Sequence, residues 1–522
     1  MLSEIVDAML MPIAPASVLK RQMAREAIKS LATFKAAEKT RVKSERVYQT
    51  SANSAVVGDI LTLNGRARRI ARDSWYADSI IEAYERNVIG RGITPRATAR
   101  DPKTGKEFSD FNKAADALFN TWFKDPVVYD AGGRLSGHDM TRLALSEWVT
   151  VGEAFAVWSM DTKQEVPFYY QMFEPEQLDY TKSMADVTGN RIYHGVEVND
   201  RGTIVGYHVF LNNHPYDTWV TKKIESTRIP AERVLHLMKQ RRVGQVHGYT
   251  RFAPVMDKIL GMDMYDQFML VRAKMEACIG GAIESTNATS ISNFGLNPAV
   301  GEGTTANNDT EIVMEPGMMT RLNPGETIKF NTPSSPGNGY ESFSWNGNSQ
   351  IGAGVGLDGA IVARDFTRGS YSAQRQAYVE SKKGFDLIEE MLIIQWLMPQ
   401  WKQVIQYGID SGKLEAPGYD TSPAMKAAYL SVDWQGPDMP PLDEVKEASA
   451  NQLDLANCTT TLAQIWNRKG MNWRDALKQR EEEVEAMKKA GLVQEPDNGK
   501  MSQPAQRAND KKTKDSQPGA KK

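Results

Sequence analysis

The feature that most constrains the fold is the stretch from Tyr249 to Gly280, in which nothing after Pro254 interrupts a helix. Proline is tolerated in the first turn of a helix, and apolar residues recur through the stretch with charges spread between them. About 32 residues at roughly 1.5 Å each would form a rod of about 48 Å, whereas helices in globular proteins average about 11 to 12 residues. We therefore predict an unusually long helix that is ended by Gly280 and Gly281.

A second long helical pattern runs from Ser372 towards Tyr407, and Pro399 is expected to kink or end it. Beyond Pro440 the apolar spacing predicts three further helices, at about Leu442–Ala456, Thr459–Arg468 and Trp473–Ala490. The C-terminal half is therefore predicted to be mainly helical.

A small loop-rich insertion separates the two long helical patterns. Residues 284–310 are rich in Ser, Thr, Asn and Gly, and two short strands are predicted at Glu311–Met314 and Thr327–Phe330. Another helical stretch begins near Tyr340, and a polar break at 364–370 comes after it. The insertion is thus bracketed by helices.

The N-terminal half mixes helices with hairpins. Helical spacing from Ile70 to Val88 predicts a helix that Gly90 or Gly92 stops, and a second helix is expected at about Asp139–Val151. Residues 196–209 have the pattern of two strands around a glycine-containing turn. Since no alternation of single strands and helices follows, a doubly wound nucleotide-binding fold is not expected.

Composition narrows the class of protein. With 522 residues, the chain is long enough for three to four domains at about 150 residues each. Its 63 Lys and Arg against 65 Asp and Glu give a net charge of −2, so the whole chain is not built to adhere to nucleic acid. Cys278 and Cys458 cannot form a disulfide framework, as expected for a reducing compartment. No apolar stretch approaches the roughly 18 residues of a membrane-spanning helix, so no membrane partner is expected.

The two ends of the chain are polar. Residues 1–57 have the pattern of a helix-prone arm, and bases outnumber acids between Lys20 and Arg46. That segment could contact DNA or an acidic partner, or could equally be a solvated helical face. The tail at 491–522 is almost without large apolar residues, which predicts disorder.

No catalytic or cofactor motif in the sequence has the context that its chemistry requires. Residues 354–359 match GxGxxG, but the polar residues before them form no strand, as a dinucleotide site would require. Ser136 and Asp139 fit a helix capping box better than a catalytic triad with His138. The six histidines form no metal-binding pattern, and no phosphate-binding GxxxxGK[ST] occurs. We therefore expect no enzyme activity, no metal and no cofactor.

The order of these parts resembles the portal proteins of tailed bacteriophages, the head–tail connectors. Local motifs make the chain similar to the lambda-type portal family over roughly residues 60–490. These motifs are Tyr76-Ala77 leading to Val88-Ile89-Gly90, Gly152-Glu153-Ala154-Phe155, Met314 to Phe330 with its Asn323-Pro324-Gly325-Glu326 turn, Asn338-Gly339-Tyr340 with Phe343, and Gly354-Val355-Gly356-Leu357 leading to Ser370-Tyr371-Ser372-Ala373-Gln374-Arg375.

The resemblance implies an α+β, mainly helical portal fold with wing, stem, clip and crown regions, assembled as a ring of usually twelve copies at one capsid vertex. After the arm at 1–57, the implied regions are the wing (58–248 and 372–437), the stem helices (249–283 and 337–362), the clip (284–336), a channel loop (363–371) and crown helices (438–490).

The resemblance also implies partners. Double-stranded DNA would pass through the ring non-specifically during packaging and ejection. The terminase large subunit would dock on the clip, later replaced by head-completion or adaptor proteins, and the ring would contact the major capsid protein or a scaffold. It implies a place in the virion after assembly in the host cytoplasm. Candidate docking residues in the clip are Glu315, Arg321, Asn323, Glu326 and Lys329.

Charge considerations agree with a conduit. A ring that held DNA through many Lys–phosphate contacts would have to break them at every step of translocation. A few cations on a loop, Arg364 and Arg368 with Arg375 at the following helix start, could touch phosphates without holding them. Alternatively, these arginines pair with acids of a neighbouring subunit. The competing classes are a cytosolic multidomain enzyme and a scaffold that binds nucleic acid through its basic arm.

Overall fold

The structure, a computed structural model, describes Val18, Lys20 and residues 50–185, 189–212, 214–217, 225–278, 282–285, 326–329, 339–437, 444–468 and 473–490. The chain divides into a unit at 1–55 and a unit at 56–522. In the first unit, only Val18, Lys20 and 50–55 are described, so most of the predicted basic arm lies outside the described residues. The sheets and the hydrophobic cores of the described residues lie in the second unit.

The described part of the chain is mainly helical. Its helices are α1 (Ala52–Val57), α2 (Ile60–Asp73), α3 (Trp75–Tyr84), α4 (Ser109–Lys124), α5 (Pro126–Tyr129), α6 (Gly137–Val151), α7 (Met256–Cys278), α8 (Tyr340–Val355), α9 (Gly359–Ala363), α10 (Tyr371–Leu392), α11 (Met398–Asp410), α12 (Pro423–Tyr429), α13 (Glu444–Ala456), α14 (Leu462–Arg468) and α15 (Trp473–Lys489). Two π-helical turns, Glu85–Ile89 and Ile393–Leu397, come directly after α3 and α10.

The strands form small sheets in which every pairing between named strands is antiparallel. They are β1 (Thr94–Ala97), β2 (Glu153–Met160), β3 (Phe168–Phe173), β4 (Met184–Ala185), β5 (Arg191–Tyr193), β6 (Val196–Val198), β7 (Ile204–Val209), β8 (Thr227–Pro230), β9 (Val234–Met238), β10 (Ala282–Ser285), β11 (Glu326–Lys329) and β12 (Val432–Gln435). The sheet orders are β3-β2-β9, β4-β5-β6-β7-β8, β1-β12 and β10-β11. The expectation of antiparallel hairpins rather than a doubly wound sheet is confirmed.

The main core lies where α3, α4, α6, α10 and α11 meet. Its largest members include Trp148, Trp396 and Trp401, each buried, and Trp401 packs on Phe119 with ring centroids 5.2 Å apart. A second, smaller core lies between the three-stranded and the five-stranded sheets. Each aromatic side chain buries a large area, so a core built from tryptophan and phenylalanine can be dense with few leucines.

Two predicted helix boundaries in the N-terminal half are confirmed. The Ser136 hydroxyl accepts a hydrogen bond from the backbone N–H of Asp139, which forms the expected capping box at the start of α6. Gly90, with φ of 53°, ends the segment that comes after α3. The predicted helix through Ile70–Val88 is nevertheless divided, because Ser74 has an extended backbone between α2 and α3.

The long helix α7 begins at Met256 rather than at Tyr249, so the predicted start is wrong. The backbone N–H of Arg251 donates to the Val149 carbonyl over 3.1 Å, and the Thr250 hydroxyl accepts from the N–H of Phe252 over 3.0 Å. These bonds to α6 and within the turn replace helical bonds. The predicted end at 280–281 lies outside the described residues.

The second long helix continues through Pro399, so the proline does not end it. The π turn Ile393–Leu397 lies between α10 and α11, and Pro399 falls in the first turn of α11. A π turn accommodates an extra residue and a missing hydrogen bond. The Gln395 side chain also accepts a hydrogen bond from the N–H of Met238 over 2.8 Å, which joins this turn to β9.

In the insertion, the predicted strand at Thr327–Phe330 is confirmed as β11, one residue earlier at each end. It pairs with β10, which the sequence did not predict, while Glu311–Met314 lies outside the described residues.

The predicted C-terminal helices are confirmed as α13, α14 and α15. Arg474 on α15 forms a two-pronged ion pair with Glu107, at 2.9 and 2.8 Å.

A buried charge cluster joins the two sheets at Glu153. Its carboxylate accepts from the N–H of Gly248 over 2.8 Å, lies 3.2 Å from Nδ1 of His247 and lies 3.4 Å from Nε2 of His236. The other ring nitrogen of His247 is 2.9 Å from the carbonyl oxygen of Tyr193. Since carboxylates and carbonyls only accept, both nitrogens of His247 must donate, which requires the cation.

The pKa values in this cluster result from that pairing. Burial opposes ionisation of Glu153, but the two histidines outweigh it and lower its pKa to about 2. Burial also opposes the cation of His247, yet Glu153 raises the pKa of His247 above its usual value. Burial lowers the pKa of His236. The cluster is therefore an ion pair between Glu153 and His247 beside a neutral His236.

Replacing Glu153 by Gln should lower the free energy of unfolding by about 3 kcal/mol, because the His247 cation then faces no charge. The deficit should be largest between about pH 4.5 and 6.5, the ordinary pKa values of the two groups. The contribution of the ion pair is lost gradually as pH falls from 4.5 towards about 2, where the folded carboxyl protonates, and as pH rises above 6.5 through the raised pKa of His247. Urea denaturation across pH measures this. His214→Gln, which removes an imidazole on the surface beside Glu174, is the control; a deficit independent of pH would contradict the ion pair.

Gly152 is required where α6 turns into β2. Its φ is +96°, and a Cβ there would lie 2.1 Å from the carbonyl carbon of Tyr249. Gly105 also has a positive φ, of +69°, but has open space around it. We expect Gly105→Ala to cost about 1 kcal/mol of stability and Gly152→Ala clearly more, as measured by urea denaturation. Equal losses would show that the close approach to Tyr249 does not matter.

Candidate functional site

The end of α8 sets the position of the predicted channel loop. The Tyr84 hydroxyl and the Arg251 guanidinium both donate to the carbonyl oxygen of Val355, in the last turn of α8. Arg251 also lies over the ring of Trp148, with its Cζ 5.6 Å from the ring centroid. A cation at the C-terminal end of a helix satisfies carbonyls that have no partner within the helix. Tyr84 of α3 and Arg251 of the turn before α7 therefore hold this end.

The GxGxxG string at 354–359 forms the end of one helix and the start of the next. Gly356 ends α8 in the left-handed conformation, with φ of 84°. The Asp358 side chain accepts from the N–H of Ala360 over 2.8 Å and so caps α9. A helix rather than a strand precedes these glycines, so they lack the strand–turn–helix context of a dinucleotide site, as the sequence predicts.

The loop itself runs from Arg364 to Ser370. Arg364 ends α9 in the left-handed conformation, with φ of 52°. Ser370 starts α10, where its hydroxyl accepts from the N–H of Ala373. A residue with a side chain in the left-handed region costs roughly 1–2 kcal/mol, and glycine is usual at this position. An arginine here therefore carries a local conformational cost.

Both predicted loop arginines form ion pairs within their own chain. Arg364 donates to the carboxylate of Glu82 on α3, and Arg368 donates to the carboxylate of Glu341 on α8. Nε of Arg368 also lies 3.6 Å from Asp365. Each arginine therefore has an acidic partner in its own chain, in addition to the two partners that the sequence analysis considers, a DNA phosphate and an acid of a neighbouring subunit.

Further contacts shape the loop. The guanidinium of Arg368 lies over the ring of Trp345, with its Cζ 5.2 Å from the centroid. The Thr367 hydroxyl donates to Asp365 over 2.6 Å, which lowers the pKa of that carboxyl. The Gln374 amide donates to the carbonyls of Phe366 and Arg368. The loop is thus held by Trp345 of α8 and Gln374 of α10.

The third predicted cation, Arg375, is exposed near the start of α10, as its fifth residue, and among the described residues it forms no ion pair. The loop therefore brings Arg364 and Arg368 together and leaves Arg375 on the adjacent helix. Against these three cations stand three carboxylates around the loop, namely Glu82, Glu341 and Asp365. Counted over these six side chains, the neighbourhood has no net charge.

The predicted docking residues of the clip are only partly within the described residues. Glu315, Arg321 and Asn323 lie outside them. Glu326 and Lys329 occupy the two ends of β11, opposite Ser285 and Ala282 of β10. Their role in docking stays a prediction.

Sequence reasoning missed the partners of the loop. Glu82 is 282 residues from Arg364, and Glu341 is 27 residues from Arg368, so no local pattern indicates either pair. Gln374 is closer, eight residues after Phe366, and a polar side chain in the first turn of a helix can bond a preceding loop. Gln374 is therefore the one sequence signal that indicates a contact of the loop.

The part of the chain that the structure describes offers neither a metal centre nor a membrane span. Within it, no group of three or more His, Cys, Asp or Glu side chains is placed to hold a metal ion. Among its helices, none combines the length and the apolar character needed to cross a membrane.

The family and the relatives that match this chain are all named as portal proteins. The family described as phage portal protein, lambda family, matches residues 38–388. The probable portal protein of Halomonas phage phiHAP-1 is 23% identical over 470 residues, which is 88% of this chain and 88% of that protein. Portal protein B of Escherichia phage lambda is 21% identical over 473 residues, which is 85% of this chain and 87% of that protein.

Among solved structures, a chain in the neck of an empty gene transfer agent particle, computed with C6 symmetry, aligns with a TM-score of 0.37 and 12% identity. The alignment covers 79% of this chain and 93% of that one. The family match spans well over half of the sequence. The chain therefore belongs to the lambda family of phage portal proteins, which are structural proteins of the head–tail connector and not enzymes.

Proposed function

We propose that copies of this protein form a closed ring, of twelve subunits, at one capsid vertex, and that DNA enters and leaves through its centre. Membership of the portal family supports this assembly. The net charge of −2 supports passage rather than tight binding, since each phosphate contact adds affinity that translocation must undo.

The observation that carries the DNA role is the state of the two loop arginines. Each is paired with a carboxylate that is itself exposed, and Glu341 is 81% exposed. Exposed ion pairs contribute about 0 to 1 kcal/mol, so a passing phosphate can take the place of the carboxylate at little cost. In this proposal Arg364 and Arg368 touch the DNA backbone in turn, and Arg375 adds a third contact from α10.

The remaining assignments are proposals of the same kind. We assign the wing to 58–248 and 372–437, the stem to 249–283 and 337–362, the clip to 284–336, the channel loop to 363–371 and the crown to 438–490. The clip would dock the terminase large subunit through Glu315, Arg321, Asn323, Glu326 and Lys329, and later head-completion proteins. The ring would assemble in the host cytoplasm beside the major capsid protein or a scaffold.

Replacing Arg364 and Arg368 together by alanine should shorten the packaged genome or lower its retention, because the loop loses both phosphate contacts. Ring formation should not change, since both ion pairs lie within one chain. Packaged DNA length and particle yield measure the effect. Arg474→Ala, which breaks the ion pair with Glu107 away from the loop, is the matched control. Wild-type packaging by the double variant would contradict a DNA role for the loop.

Comparing Arg364→Gly with Arg364→Ala separates the effect of the lost charge from the effect of backbone strain. Both remove the cation, but glycine adopts the left-handed conformation freely, so the glycine variant should be the more stable by about 1 kcal/mol. Thermal denaturation measures that difference. Both variants should reduce packaging equally; normal packaging by Arg364→Gly alone would mean that loop geometry, and not charge, is what matters.

A further inference from the structure

One face of α7 is fixed against its own chain. Met262 fits against Gly347 of α8, where an added Cβ would lie 2.6 Å from the Met262 sulfur. Asp266 accepts hydrogen bonds from the hydroxyls of Tyr340 and Tyr76, over 2.9 and 3.0 Å. Ile259 on the same face is buried. This face therefore determines how α7 and α8 lie beside each other.

The opposite face of α7 is also apolar but has no cover among the described residues. Four side chains there are between 39% and 64% exposed, and they succeed one another at spacings of four, four and three residues: Leu260, Met264, Phe268 and Val271. That spacing places them in one row, here named the apolar ridge. Single exposed apolar residues are ordinary, whereas a continuous row marks an interface.

A second exposed aromatic lies level with the ridge on α8. Phe343 is 43% exposed, and its ring centroid is 4.6 Å from that of Tyr265. Tyr265 directly follows Met264 of the ridge along α7. Measured along the helix pair, Phe343 and the middle of the ridge are therefore at the same height.

We propose that the apolar ridge of one copy packs against Phe343 on α8 of the next copy in the ring. This inference rests on the proposed function, which includes that ring. A closed ring joins two different surfaces of the same chain, head to tail. Copies related by rotation about one axis meet at equal heights along it, and Met264 and Phe343 satisfy that condition when α7 and α8 stand along the axis. Methionine and phenylalanine side chains also pack favourably on an aromatic ring.

Cysteine cross-linking between two variants tests this contact in the full chain. In a background with serine at positions 278 and 458, one preparation carries Met264→Cys and the other Phe343→Cys. The two are mixed, assembled and mildly oxidised, and the disulfide-linked dimer is measured on a non-reducing gel. The matched control replaces Met264→Cys by Val127→Cys, an exposed aliphatic position on α5.

We expect the mixed dimer to form about a thousandfold faster than in the control, because assembly raises the effective concentration of neighbouring thiols from micromolar to millimolar. Rings that form without this faster cross-linking would overturn the inference and leave the proposed function intact. Dimers of Met264→Cys with itself would also overturn it, since ridge would then meet ridge. If the wild-type chain forms no ring under native mass measurement, the proposed function fails, and the inference with it.

A charge on the ridge gives a second measure. Phe268→Glu should leave the melting temperature of the separated subunit unchanged, because this side chain is exposed there, but should weaken subunit association by about tenfold or more. Val127→Glu is the control. An unchanged proportion of rings for Phe268→Glu would count against the ridge as the contact surface.

Discussion

The carbonyl oxygen of Val355 is the point on which the arrangement of the loop depends. It lies at the C-terminal end of α8, where the backbone has no partner within the helix. Tyr84 from α3 and Arg251 from the turn before α7 both donate to it. Since α9 and the loop come within a few residues, their position relative to the core is set here.

Patterns with strong periodicity were sufficient to predict most helices and the antiparallel hairpins. The start of α7 differs from the prediction because the backbone at 249–251 lies close to Gly152 and the N–H of Arg251 donates to Val149 of α6, both about 100 residues away in sequence. Helix propensity depends on residues that are close in sequence and so does not reveal such contacts. The same reason explains why the polar residues at 364–370 predict a break between two helices, which the structure has, whereas no pattern predicts the ion-pair partners Glu82 and Glu341.

Charge is balanced locally as well as over the whole chain. Around the loop, arginines and carboxylates are matched in number, and bases and acids are nearly matched in the full sequence. Salt screens such exposed pairs over about 8 to 10 Å under ordinary conditions, so the loop presents cations only at close range. In the proposed ring this would limit attraction to the phosphates that pass directly beside it.

The π turn at Ile393–Leu397 has a consequence for the angular phase of the second long helix. At about 100° per residue, an uninterrupted α-helix would place the buried Trp401, Val404 and Ile405 on roughly the opposite side from Phe385 and Leu392. The extra residue of the π turn removes roughly 100° of that offset, so that both halves of the helix can face one interior. Deleting a single residue between 393 and 397 would therefore allow regular α-helical winding with Trp401 still facing the core, whereas regular winding with all residues kept would turn Trp401 away by about 100°.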